Sequence, residues 1–213
     1  MMAAGICANN GAEVVLFEKN GMLGKKLRIT GKGRCNITNA CGMATFMENV
    51  TTNGKFLYSV INQFSPKDTI NFFKKNGLDV KIERGNRVFP QSDKAIDIVH
   101  VMENFVKKSN CKILNERVKN LIIQSGKCCG VETFNSEKIY SDAVIIATGG
   151  MSYPKTGATG DGYKIANRVG HTIVELRPSL VPLESNSDHC SKMQGLSLKN
   201  VSLELVEKIS DKV

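Results

Sequence analysis

The chain has 213 residues, of which 41% are hydrophobic and 23% charged, and 29 Lys and Arg against 20 Asp and Glu give a net charge of +9. It is too apolar for a disordered segment, and it holds no run of about eighteen apolar residues that could span a bilayer. At roughly 100–200 residues per domain, the length accommodates one full domain and part of a second.

The positive charge is dispersed in short pairs such as Lys25-Lys26, Lys74-Lys75 and Lys107-Lys108, without an arginine-rich stripe that interleaves aromatics. A nucleic-acid module is therefore the lesser expectation beside a solvated surface or an anionic small ligand. Seven cysteines occur without any Cys-x-x-Cys pair, and there are only three histidines. Free thiols in a reducing cytoplasm, with no zinc and no membrane segment, is the economical interpretation.

In chain order, residues 1–10 (MMAAGICANN) have the character of the second half of a helix, stopped by Gly11. Residues 12–18 (AEVVLFE) form a continuous apolar run ending in an acid, the pattern of a buried parallel strand. From Lys19 to about Thr52, five glycines and no sustained period predict a long functional loop. Pro66 and Gly77 bracket a short helix over 66–76, and apolar residues at helical spacing predict a second over 93–108. Extended segments are expected at 78–83 and 87–89, and a three-stranded antiparallel meander at 117–124, 128–134 and 138–140. Residues 142–147 (DAVIIA) are expected as another buried strand, followed by a Gly-rich loop and a helix over 161–169. Strand-like pieces resume from residue 178.

Three constellations carry chemistry. Glu18 closes an apolar strand, where an acid can accept hydrogen bonds from ribose hydroxyls, although a Glu that merely ends a strand looks the same. The glycine turn Gly-x-Gly-x-x-Gly that would accompany it is absent from this sequence. Residues 28–39 (RITGKGRCNITN) combine glycines that allow close backbone approach with the Arg34 guanidinium and neutral hydrogen-bonding groups, which suits an anionic ligand or, equally, a basic surface loop. Residues 142–162 run from an apolar stretch into Thr148, Gly149 and Gly150, at the carboxyl edge where open α/β sheets bind ligands. Asp161 is expected to cap the helix that follows.

Taken together, VVLFEKN (14–20), GKKLRITGKGRCNITN (24–39), RVFPQS (87–92) and ATGGMSYPKTGATGDGYKIANRVGHTI (147–173) resemble the BaiN-like flavoproteins, also called the YhiN-like or aminoacetone-oxidase family. The resemblance continues through PSLVPL (178–183). It implies an α/β fold: a glutathione-reductase-type, Rossmann-like FAD domain with a parallel sheet and an antiparallel β-meander. That domain is expected over residues 1–178, incomplete, with the start of a β-rich, barrel-like substrate domain over 179–213. It also implies that Glu18 holds the adenosine ribose and that the loop containing Gly31, Gly33, Arg34, Cys35 and Asn36 lines the flavin and pyrophosphate. Lys19, Lys26, Val118, Thr148, Gly149 and Gly150 complete the expected cofactor-binding set.

Family members are longer, and both their opening strand with its phosphate-binding glycines and their closing Gly-rich segment have no counterpart here. The resemblance thus implies a fragment of an oxidoreductase that moves hydride through FAD, with NAD(P)H as donor and an organic substrate such as an unsaturated 3-oxo bile acid. The missing remainder of the flavoprotein is an expected partner. The competing expectation is a non-catalytic remnant unable to hold FAD alone, and the least favoured is the nucleic-acid module.

Overall fold

The computed structural model describes residues 1–178, 184–198, 201, 202 and 204. The chain divides into two compact units, Met1–Ile173 and Val174–Val213. The first opens with helix α1 (Met2–Asn9), which leads through Gly11 at φ +89° into strand β1 (Val15–Phe17). The region expected as one long loop is more ordered than its composition suggests. It holds a kinked 3-10 segment (Leu27–Gly33), the two-residue strand β2 (Thr38–Asn39) and helix α2 (Met43–Glu48), and helix α3 (Gly54–Gln63) follows it.

Helix α4 (Pro66–Lys75) starts where the sequence places it. The Ser65 hydroxyl accepts the Asp68 N–H, the Asp68 carboxylate accepts the Ser65 N–H, and Pro66 occupies the first turn, where its missing N–H costs nothing. Strands β3 (Val80–Glu83) and β4 (Arg87–Pro90) follow, and β4 lies between β2 and β3 in an antiparallel sheet. Helix α5 (Ala95–Lys108) then buries Ala95, Ile98, Val99, Met102 and Val106 along one stripe. Ala95, Ile98 and Met102 meet Cys35 and Phe73 to form the main core, with Phe72 edge-on to both Phe73 and Phe105. Gly5 of α1 is glycine for a packing reason, because a β-carbon there would collide with the Phe105 ring.

Strand β5 (Lys112–Leu114), three residues long and not foreseen from the sequence, pairs in parallel with β1. The meander is as expected: β6 (Val118–Gln124), β7 (Lys127–Thr133) and β8 (Lys138–Tyr140) in antiparallel order. Helix α6 (Asp161–Arg168) ends ahead of Gly170 at φ +93°. The mixed parallel and antiparallel sheets with flanking helices establish the α/β class.

One expectation fails. Residues 142–147 are not a buried strand: Ile145 is 63% exposed, and Val144 to Ala147 make no backbone hydrogen bond to any described residue. An apolar run becomes a strand only when a neighbour takes its N–H and C=O groups, and β1 and β5 pair only with each other.

In the second unit the described residues include a short helix, α7 (His189–Lys192), and an exposed Arg177–Glu175 ion pair. The strand-like pieces expected from residue 178 fall largely outside the described residues.

Candidate functional site

A cavity of about 1130 Å³ opens beside β1 in the first unit. It is lined on one side by residues 11–20 and on another by residues 139–150, with Ala3, Ala4 and Cys7 of α1, Lys26, and Val118 of β6 also contributing. Seven of the expected cofactor residues therefore share one space: Glu18, Lys19, Lys26, Val118, Thr148, Gly149 and Gly150. Gly31, Gly33, Arg34, Cys35 and Asn36 lie outside its lining.

Glu18 sits where β1 ends, its N–H donating to Leu114 C=O at 3.0 Å. Its carboxylate accepts the backbone N–H of Asn20 at 2.8 Å and the Asn20 side-chain amide at 2.7 Å. The same amide reaches Thr156 C=O at 3.4 Å, and a β-carbon on Gly157 would come within 2.8 Å of that amide. A glycine is required there by this contact and by its φ of +92°. Asn115 donates from β5's exit to the carbonyls of Glu18 and Asn20.

Three cations of the cavity are held by hydrogen bonds. Lys19 donates to Asp161 at 2.8 Å and to the Thr159 hydroxyl. Arg117 donates to the same carboxylate through two nitrogens, at 3.0 and 2.9 Å, and lies over the Phe134 ring. Lys26 donates to the Ser152 carbonyl at 2.9 Å and hydroxyl at 2.7 Å. Asp161 is thus a counter-ion, and the expectation that it caps α6 is corrected: Gly160 occupies the cap position at φ +73°, and no side chain accepts the free N–H groups. The hydrogen bonds from Arg117, reinforced by Lys19 and Thr159, hold the Asp161 carboxyl far below the usual carboxylate range, against a burial penalty that acts the other way. Gly162, one residue on, packs so tightly against Thr148 that a β-carbon would overlap the threonine hydroxyl.

The Gly31–Asn36 loop is built differently. Gly31, Lys32, Gly33 and Cys35 all have positive φ, which bends the main chain tightly. Arg34 does not reach the cavity. It donates to Asp93 from Nε at 2.8 Å and to both Asp93 and Glu83 from Nη2, and stacks 4.1 Å from the Phe89 ring centroid. The hydrogen bonds that Arg34 donates to Glu83 and Asp93 raise its pKa, and Arg34 and Lys81 lower those of the two carboxyls. Asn36, with its amide oriented toward acceptors, donates to Val88 C=O at 3.1 Å and Thr38 C=O at 3.0 Å. Cys35 turns inward, 2% exposed among Phe73, Ala95, Ile98 and Met102, and burial pushes its thiol up. The parts of this loop that can meet a ligand are its backbone and Lys32.

Arg117, Asn20 and Ser152 were not anticipated as site residues. Arg117 carries the one available signal, a cation placed immediately before an apolar strand. Asn20 and Ser152 act through loop geometry that has no sequence period. Among the described residues, no group of three His, Cys, Asp or Glu could hold a metal ion, and no helix is long and apolar enough to cross a membrane.

Comparison with known proteins gives this geometry its context. The chain is 30% identical to the 3-dehydro-bile acid delta(4,6)-reductase of Clostridium scindens over 185 residues, which is 87% of this chain and 44% of the relative. It is 28% identical to the ribosomal RNA dihydrouridine synthase of Haemophilus influenzae over 207 residues (93% and 50%), and 26% identical to that of Escherichia coli over 200 residues (92% and 48%). The chain spans about half the length of the curated relatives it matches. Residues 1–212 match the family model described as the HI0933-like protein Rossmann domain, and the chain belongs to that family of FAD-binding Rossmann-like proteins.

Proposed function

We propose that this chain forms the FAD-binding portion of a flavin-dependent oxidoreductase, in which hydride passes from NAD(P)H through the flavin to a carbon–carbon double bond of an organic substrate. The observation that carries this reading is the cavity at the end of β1, which brings Glu18, Lys19 and Lys26 opposite Thr148, Gly149 and Gly150. At about 1130 Å³ it matches the upper end of small-molecule sites, which run to roughly 1,000 Å³.

The residues present fit the adenosine end of the cofactor. Glu18 offers carboxylate oxygens to ribose hydroxyls, and Lys19, Lys26 and Arg117 provide positive charge for a diphosphate. Gly149, at φ +73°, together with Gly150, allows main chain to approach closely. The Gly31–Asn36 loop would meet the flavin through its backbone. FAD, when bound, would supply the redox chemistry itself. The chain's own residues orient it, and Asp161 keeps the Lys19 and Arg117 side chains fixed.

The relative from Clostridium scindens is named as a reductase of a 3-dehydro-bile acid, which supports an unsaturated 3-oxo steroid as substrate. A second reading, ribosomal RNA as substrate, draws on the names of two other relatives and on the +9 charge. The first test is to incubate the purified chain with FAD, remove the excess and record the flavin absorbance that elutes with protein. Retained flavin, reduced by Glu18→Ala, supports the reading. A folded but colourless chain overturns it for this polypeptide and favours a remnant unable to hold FAD alone. NAD(P)H consumption by the intact parent protein, dependent on either an unsaturated 3-oxo steroid or ribosomal RNA, then separates the two substrate readings.

A further inference from the structure

We infer that the exposed apolar stripe of helix α3 is a docking surface for a second copy of this chain, met as an antiparallel helix pair that crosses at Val60. Helix α3 packs against α2, and neither helix contains a buried residue. Leu57 and Ile61 are half-buried, whereas Phe56 is 81% exposed, Val60 55% and Phe64, at the helix C-cap, 40%. Residues four apart form one ridge on a helix, so these three side chains stand in a single row.

The pattern of the row identifies its occupant. It reads the same in both directions about Val60, with a phenylalanine four residues to either side. A two-fold axis at Val60 therefore sets Phe56 against the partner's Phe64 and Phe64 against the partner's Phe56, the self-complementarity that an isologous contact requires. Charge permits the approach. The chain carries +9, yet residues 43–64 hold one acid, Glu48, and one base, Lys55, so two copies meet over a neutral face. Lys55 lies in the first turn of α3, where its own helix dipole disfavours a cation. In the antiparallel pair it comes beside the C-terminal end of the partner helix, where the dipole is negative and the last carbonyls have no partner within the helix. A bilayer surface selects a helix rich in Lys or Arg, and α3 has one such residue. Covering the exposed row together with Leu57 and Ile61 removes roughly 400–500 Å² per copy, about 800–1,000 Å² in total, which is the range of weak and reversible association.

The test uses the 213-residue chain without FAD, so that its outcome is separate from the cofactor reading. Sedimentation from about 5 to about 500 µM should show a reversible dimer with a dissociation constant on the order of 10–100 µM. Val60→Glu, which places two like charges at the axis, should weaken it at least about tenfold. Oxidation of the Val60→Cys variant should link two copies through position 60. The Phe56→Cys variant should give no link between the two positions 56, because the axis holds them about 12 Å apart. Peptide mapping by mass spectrometry separates these links from any made by the seven native cysteines. All three substitutions are on exposed positions, and sedimentation of the unsubstituted chain tests the dimer without them. A monomer across the whole concentration range would overturn the inference. So would a dimer that Val60→Glu leaves intact, or one that links at position 56 and not at 60. Binding of a monomeric chain to phosphatidylglycerol vesicles, lost in Phe56→Glu, would also overturn it and make a bilayer the occupant.

Discussion

Replacing Asp161 by Asn isolates the contribution of one carboxylate to the site. The residue is 11% exposed and makes two ion pairs, with Arg117 at 2.9 Å and Lys19 at 2.8 Å. A hydrogen bond to a charged group contributes roughly 1.5–3 kcal/mol. Arg117 is 44% exposed and Lys19 24%, so solvent screening reduces each to about 1 kcal/mol, or about 2 kcal/mol together. For a chain of this size that corresponds to a fall in Tm of about 4–8 °C. The pH dependence adds a second signature. The Arg117 and Lys19 hydrogen bonds hold the folded-state pKa of Asp161 below its ordinary 3.8, so the stabilisation is complete above that value and is lost as pH falls toward the folded-state pKa. By pH 3 the gap between wild type and Asn should narrow by about 1 kcal/mol, because the unfolded wild type has begun to bind its proton. Thermal melts followed by circular dichroism from pH 7 to pH 3 would measure both. An Asn variant melting within about 1 °C of wild type at pH 7, or a gap constant across that range, would refute the counter-ion assignment.

Gly162→Ala should destabilise by about 1–3 kcal/mol in chemical denaturation, because its new methyl meets Thr148. Adding Thr148→Ala should recover more than half of that loss. Ser65→Ala should lower Tm by about 2–4 °C through loss of the reciprocal cap on α4. Cys35, buried and with a raised pKa, should resist iodoacetamide at about pH 8 while exposed Cys190 is alkylated, and should react only in denaturant. Peptide mapping by mass spectrometry would check this, and equal rates would contradict the inward orientation of the Cys35 side chain.

Elements that announce themselves in the sequence share a local cause. Ser65, Asp68 and Pro66 start α4 by contacts spanning three residues, and α5 carries its apolar stripe over fourteen. Helix α3 also has apolar spacing, at Phe56, Val60 and Phe64, yet it begins at Gly54 after Asn53 at φ +54°, which disguises its start. It also leaves Phe56 81% exposed, so burial does not explain the pattern. Strand β5 is too short for any period to show. Residues 142–147 illustrate the opposite case, in which composition suits a strand and the deciding factor is a partner elsewhere. Within the cavity lining, Glu18 is legible as the acid that closes β1, and Thr148, Gly149 and Gly150 as the small residues that follow an apolar run. The engagement of Arg34 by Glu83 and Asp93 depends on strand β3 and on the segment between β4 and α5, 49 and 59 residues away, which no local pattern encodes.

The bond between Lys19 and Asp161 joins residues 142 positions apart. Ribosomes add roughly 5–20 residues per second, so about 7–28 s separate the synthesis of the two partners. Over that interval the emerging chain carries Lys19, and later Arg117, without their shared counter-ion. The Asp161 end of the cavity is accordingly assembled well after the α4–α5 core has all of its residues.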